Sequence, residues 1–149
     1  ALPQRGEFVL RGGYVLTMDS TLGDLAVGDV HVRDGEIIAV APAINAPGAE
    51  VIDASRKIVM PGLIDTHWHC WNSLQRNWLT AQAGYMVTKN ATAKHYSPTD
   101  FYNSEMLAFA EAINAGVTAT YNYAHNVISP AHAEAEMKAH DDKIARAHV

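Results

Sequence analysis

Two histidines, His67 and His69, stand two residues apart at the end of the short apolar run that carries Leu63 and Ile64. Side chains alternate across an extended strand, so Asp65, His67 and His69 project to one side of it if the run is a buried strand. Two neutral imidazoles facing the same way suit zinc, iron and similar ions. The chemistry that goes with such an ion is hydrolysis, because a bound divalent cation lowers the pKa of water to roughly 7. The pair alone carries little weight. With eight His in 149 residues, chance supplies ~0.4 His-x-His spacings, and a catalytic zinc usually takes three protein ligands.

The surrounding residues decide the matter. Pro61-Gly62-Leu63-Ile64-Asp65-Thr66-His67-Trp68-His69 resembles the signature of the amidohydrolase superfamily, Pro-Gly-Leu-Ile-Asp-x-His-x-His, which closes the first strand of a metal-dependent barrel. It shows no departure from that pattern. Leu74-Gln75-Arg76 is similar to the Leu-x-Arg of the deaminase and chlorohydrolase branch. Glu111 matches an acidic residue that the branch often carries five positions before a glycine, here Gly116; a solvated or locally paired carboxylate is the competing reading.

The resemblance implies an α/β fold: the N-terminal part of a TIM-type (β/α)8 barrel, preceded by a small antiparallel β-sandwich segment. It implies a divalent metal ion, zinc first and iron as the alternative, with His67 and His69 as ligands. The remaining ligands would be His residues on the fifth and sixth strands and an Asp on the eighth, which also serves as general base. Asp65 takes a supporting role, orienting a ligand imidazole through a hydrogen bond. Lys89 and Lys94 lie too early to stand for the carboxylated lysine of binuclear members, so the metal count stays open. The implied substrate is small, cyclic or heteroaromatic, and attacked at a C–N or related bond by deamination or hydrolytic cleavage.

Segments that follow barrel strands carry the active site, which makes Trp71, Asn72 and Arg76 the candidates for contacting substrate. Trp71, Trp78 and Tyr85 either wall that site or cover the barrel mouth. His125 falls at the end of a later strand, on the same rim, and is the candidate catalytic residue that orients substrate or hydrogen-bonds the attacking water; Asn126 is a weaker candidate. Four further histidines read as solvated: His31 on the polar face of a hairpin, and His132, His140 and His148 on a C-terminal helix. Cys70 reads as a packed thiol.

The elements that position these groups follow from turn and period signals. Phe8 to Met18 reads as two short β runs broken by a turn at Gly12-Gly13. Asp34-Gly35 joins Asp29–Arg33 to Glu36–Val40 as a type I′ hairpin, and Glu50–Asp53 is another short strand. Residues 1–57 are thus expected to form the antiparallel sandwich segment and residues 58–149 the first two β/α units. The Thr80–His95 stretch lacks periodicity and reads as a lid loop. Ser97, Pro98 and Asp100 predict a capped helix start, with Tyr102, Met106, Phe109, Ala110 and Ile113 as its apolar stripe and Gly116 at its end. Val117–Tyr123 is β-branched and aromatic, the second barrel strand. Ser129-Pro130 starts a last helix with a thin stripe of Ala133, Met137 and Ile144.

Hydrophobic residues make up 48% of the chain and charged residues 18%, the balance of a water-soluble globular protein. The net charge of −5, with no Lys/Arg run, argues against nucleic acid. No run approaches the ~18 apolar residues of a membrane span. One Cys excludes an intrachain disulfide framework. A cytoplasmic protein is expected, a removed leader being the alternative since Ala1 is not an initiator Met; the complete protein is expected to be a homo-oligomer acting on a small molecule. The 91 residues from Val59 onward fall far short of the ~250 of a whole barrel, so this chain supplies only part of the site. The alternative is a truncated, non-catalytic relative that survives as a binding or assembly subunit.

Overall fold

The computed structural model describes residues 6–76, 78 and 80–147, the last five by their backbone alone. Two compact units divide between Pro61 and Gly62.

In the first unit, strands β1 (Glu7–Val15), β2 (Leu25–Arg33), β3 (Glu36–Ala41) and β4 (Glu50–Asp53) order as β3-β2-β1-β4, with β5 (Ile58–Val59) beside the end of β1. The β2–β3 hairpin turns at Asp34 and Gly35, both at positive φ, the geometry a type I′ turn requires. Two expectations need correction. The sheet is mixed, because β4 and β5 run parallel to β1. And Gly12-Gly13 does not end a strand: β1 passes through it with a bulge, Gly12 at φ 74°, a conformation glycine adopts without a Cβ penalty. The buried Asp29 carboxylate holds that bulge, accepting from the backbone N–H groups of Gly12 and Ile44 at 3.0 Å each.

His31 is likewise not solvated. It is 6% exposed and bonds through Nε2 to Glu7 Oε1 at 2.8 Å. Alternation marks a polar face, but β2 is buried without interruption from Gly28 to His31, so both faces of it are covered.

The second unit begins with β6 (Leu63–Trp68), which pairs in parallel with β7 (Val117–Asn122). Gly62 lies so close to β7 that a Cβ there would meet Thr118 Cγ2 and Oγ1 at 2.2 Å. Only glycine fits that approach. The stretch read as a lid loop contains α1 (Tyr85–Thr92) and a 3-10 turn, Ala93–His95; its start at Gly84 has no side-chain cap, which removes the usual sequence signal.

Helix α2 (Pro98–Asn114) has the full capping box, Ser97 Oγ accepting from the Asp100 N–H while the Asp100 carboxylate accepts from the Ser97 N–H. Its buried face is Phe101, Ser104, Glu105, Ala108, Phe109 and Ala112, which shares only Phe109 with the expected stripe; Ile113 is half exposed. In α3 (Pro130–Ala147) the buried positions are His132, Glu136 and Ala139, while Met137 points outward. A search for apolar periodicity misses both faces because each is built around polar residues. The side chain of Ile144 and all of His148 lie outside the described residues. Two small cores result, Cys70 with Ala108, Phe109 and Trp68, and Trp71 with Ala93, Phe101, Tyr96 and Ala135. No described helix is long and apolar enough to cross a membrane.

Candidate active site

His67 is the penultimate residue of β6, and His69 caps the 3-10 turn Cys70–Asn72 that follows it. Their rings meet edge to face with centroids 5.1 Å apart, and His67 stacks on Tyr123 at 4.2 Å. The Asp65 carboxylate accepts from the backbone N–H of His67 at 3.0 Å, so it fixes the main chain at His67 and not the imidazole.

His125 joins this pair. Its Nδ1 lies 3.0 Å from His69 Nδ1 and 3.4 Å from Trp71 Nε1, and its Nε2 lies 3.2 Å from the Tyr85 hydroxyl. The indole N–H can only donate, which assigns a bare Nδ1 to His125 and leaves its Nε2–H for Tyr85. The proton between the two histidines then sits on His69 Nδ1, shared with the Tyr123 carbonyl at 3.0 Å. That bond fixes the tautomer of His69 and leaves its Nε2 lone pair for a metal ion, the arrangement that metal-ligating histidines adopt. Burial lowers the His125 pKa.

The other candidates divide. Trp71 is fully buried, packed against Phe101 and Tyr96; it supports His125 from within the core and has no free face for a substrate. Asn72 lines a pocket of about 130 Å³ with Gln75, Trp78, Tyr85, Thr88 and Lys89. Arg76 donates to the Glu111 carboxylate in an exposed ion pair, the local pairing anticipated for Glu111. Asn126 is buried, its Nδ2 donating to the Ala93 carbonyl at 3.2 Å, and Cys70 is wholly buried, its thiol pKa pushed up by that burial. His132 is not solvated either: Ser129 Oγ and the Tyr96 carbonyl engage its two ring nitrogens. His140 lies between α2 and α3, beside Asn122 and Glu105. A second polar cluster was therefore missed by reasoning from the sequence: Glu105, Glu136 and His140, whose ligand atoms all lie within 4.8 Å of one another.

The parallel β6–β7 pair with its covering helices recurs in solved structures. A triazine hydrolase from Arthrobacter aurescens superposes with a TM-score of 0.76 at 18% identity, over 92% of this chain and 33% of that one. Over most of the chain the sequence is also similar to curated enzymes. A 5'-deoxyadenosine deaminase of Methanosarcina mazei is 33% identical over 119 residues, covering 75% of this chain and 27% of the relative. A 5-methylthioadenosine/S-adenosylhomocysteine deaminase of Symbiobacterium thermophilum is 34% identical over 116 residues, 74% of this chain and 27% of the relative. No family model matches. The relatives are hydrolases, and the fold they share with this chain is mixed α/β. The chain is thus similar in sequence to curated deaminases and shares its fold with the triazine hydrolase. It spans about a quarter of the length of these curated relatives.

Proposed function

We propose that this chain is part of a metal-dependent hydrolase that acts on a C–N or related bond of a small cyclic or heteroaromatic molecule, by deamination or hydrolytic cleavage. The observation that carries the reading is the His67–His69–His125 arrangement, in which a backbone carbonyl holds the proton of His69 on Nδ1 and leaves Nε2 free. His67 and His69 would hold the ion, zinc before iron. When bound, a divalent ion supplies Lewis acidity and an acidified water. The chain's own groups do the rest. His125 offers a proton at Nε2 beside the Tyr85 hydroxyl, Asn72 lines the adjoining pocket with Trp78, and buried Trp71 holds the His125 ring.

The complete protein is read as a cytoplasmic TIM-type barrel with a β-sandwich completed by later residues, working as a homo-oligomer. Leu63, Ile64 and Tyr121 of the two-stranded sheet are more than half exposed, which supports further strands covering them. The test is a screen of the full-length protein against cyclic and heteroaromatic amines, amides and halides, reading ammonia or halide release. Turnover of one class, lost with His125→Ala, is the expected result; no turnover of any class by metal-loaded protein contradicts it and favours a binding or assembly role.

A further inference from the structure

A second group of ligating side chains lies outside the His67–His69 site, between α2, α3 and the end of β7. Glu105 comes from α2; Glu136 and His140 come from successive turns of α3. Glu105 is 0% exposed and Glu136 5%, and among the described residues no Lys or Arg lies within ion-pair distance of either. A buried carboxylate pair without a compensating charge is costly.

What faces them is the Asn122 amide, and the Cys70 thiol also meets Glu105. The Asn122 Nδ2 is 2.7 Å from Glu136 Oε1, 3.1 Å from Glu105 Oε2 and 3.3 Å from His140 Nε2. The orientation of that amide is assigned by its other end, since Oδ1 accepts from the Cys70 N–H at 3.2 Å. An amide nitrogen carries two protons, so three acceptors converge on two donors. Glu105 Oε1 is in addition buried with no hydrogen-bond partner. Two carboxylates and an imidazole thus crowd one point, held there by a single amide nitrogen.

We propose that Glu105, Glu136 and His140 form a second binding site for a first-row divalent cation such as Zn²⁺, distinct from the His67–His69 site. The inference goes beyond the hydrolase reading and does not depend on it. Two carboxylate oxygens and one imidazole nitrogen are a donor set that zinc accepts, at ~2.0–2.2 Å from each. Donor atoms already within 4.8 Å of one another need only a small inward movement to share one ion. The position is marked by the Asn122 nitrogen, which the ion displaces. His140 is partly exposed, and with Glu136 it lines an open pocket of about 370 Å³ that also includes Ala133 and Met137, which gives the ion a path in. Burial and the neighbouring Glu136 push the Glu105 pKa up to about 8, so at neutral pH the ion replaces a proton: Glu105 gives up H⁺ to solvent and its carboxylate takes the metal.

The test uses the full-length protein with His67→Ala and His69→Ala, which removes two of the ligands proposed for the first site, stripped of metal and titrated with Zn²⁺ by calorimetry. The expected result is one remaining equivalent of bound Zn²⁺, with about one proton released, and at least a 100-fold loss of affinity when Glu105→Gln or Glu136→Gln is added. Failure of the double variant to bind Zn²⁺ overturns the proposal. So does binding that is unchanged by both Gln variants, which places the ion elsewhere. If a Gln variant does not fold, the double variant alone decides. Mn²⁺ must then broaden the Asn122 side-chain amide signals ahead of others in NMR spectra; broadening centred on another segment overturns the assignment. Hydrolysis is not measured, so the outcome is independent of the proposed activity.

Discussion

Glu105 is a carboxylate in surroundings that do not favour its charge. It is wholly enclosed, and burial together with Glu136 raises its pKa from 4.5 to about 8. An acid whose folded-state pKa lies above its unfolded value favours folding while protonated, and loses that contribution as pH rises from about 4.5 through 8. The slope cannot exceed ~1.4 kcal/mol per pH unit for one group. In chelator, therefore, urea denaturation should show stability falling between pH 5 and 8, and Glu105→Gln should flatten that fall and leave the variant more stable than the parent at pH 8. An unchanged pH profile in the variant would place the titration on another group. Gly62 makes the second prediction at this scale. A methyl at 2.2 Å from two atoms of Thr118 forces the β6–β7 pair apart, so Gly62→Ala should cost about 1–3 kcal/mol, read as a lower denaturation midpoint. Adding Thr118→Ala should recover part of the loss.

At the scale of elements, the capping box is the clearest device. Ser97→Ala removes the two hydrogen bonds of its hydroxyl to Asp100 in the first turn of α2 and should destabilise by about 1 kcal/mol, measurable by thermal melting; Ser97→Asn should be nearly neutral. This box was legible in the sequence because capping is local chemistry, readable from Ser97, Pro98 and Asp100. The Asp34-Gly35 hairpin was legible for the same reason, and so was the His67–His69 spacing at the end of a strand. What escaped is nonlocal. The apolar stripes of α2 and α3 were misplaced because their packed faces carry Glu105, Ser104, His132 and Glu136, and nothing in the spacing of a lone helix says that its polar positions meet those of another. Gly12-Gly13 reads as a turn, yet the neighbouring strands and Asp29 make it a bulge. Trp71 looks like a loop aromatic at a substrate site and is in fact a core residue, because Phe101 and Tyr96, about 25 or more positions later, fold over it.

At the scale of the molecule, each unit leaves apolar surface that a barrel and a sandwich would cover. Ile64 is 69% exposed and Tyr121 63% in the second unit, and Ile37 65% in the first. Exposed strands of this kind pair with whatever chain they meet. Residues 1–149 expressed alone should therefore self-associate in light scattering, whereas the full-length protein should give one defined oligomer; a monodisperse monomer of the 149 residues would contradict the barrel reading. The relatives are hydrolases of which this chain spans about a quarter, so the proposed chemistry would be that of the full polypeptide, with His67 and His69 as the ligands proposed from this part of it. The measurement that tests this most directly is recovery of hydrolysis when Zn²⁺ is returned to chelator-stripped full-length protein, compared between the parent and His67→Ala. Recovery in the parent with a loss of more than about 100-fold in the variant is the predicted result, since even outer partners of metal ligands commonly cost 10–100-fold. Equal recovery in both would show that His67 holds no catalytic ion.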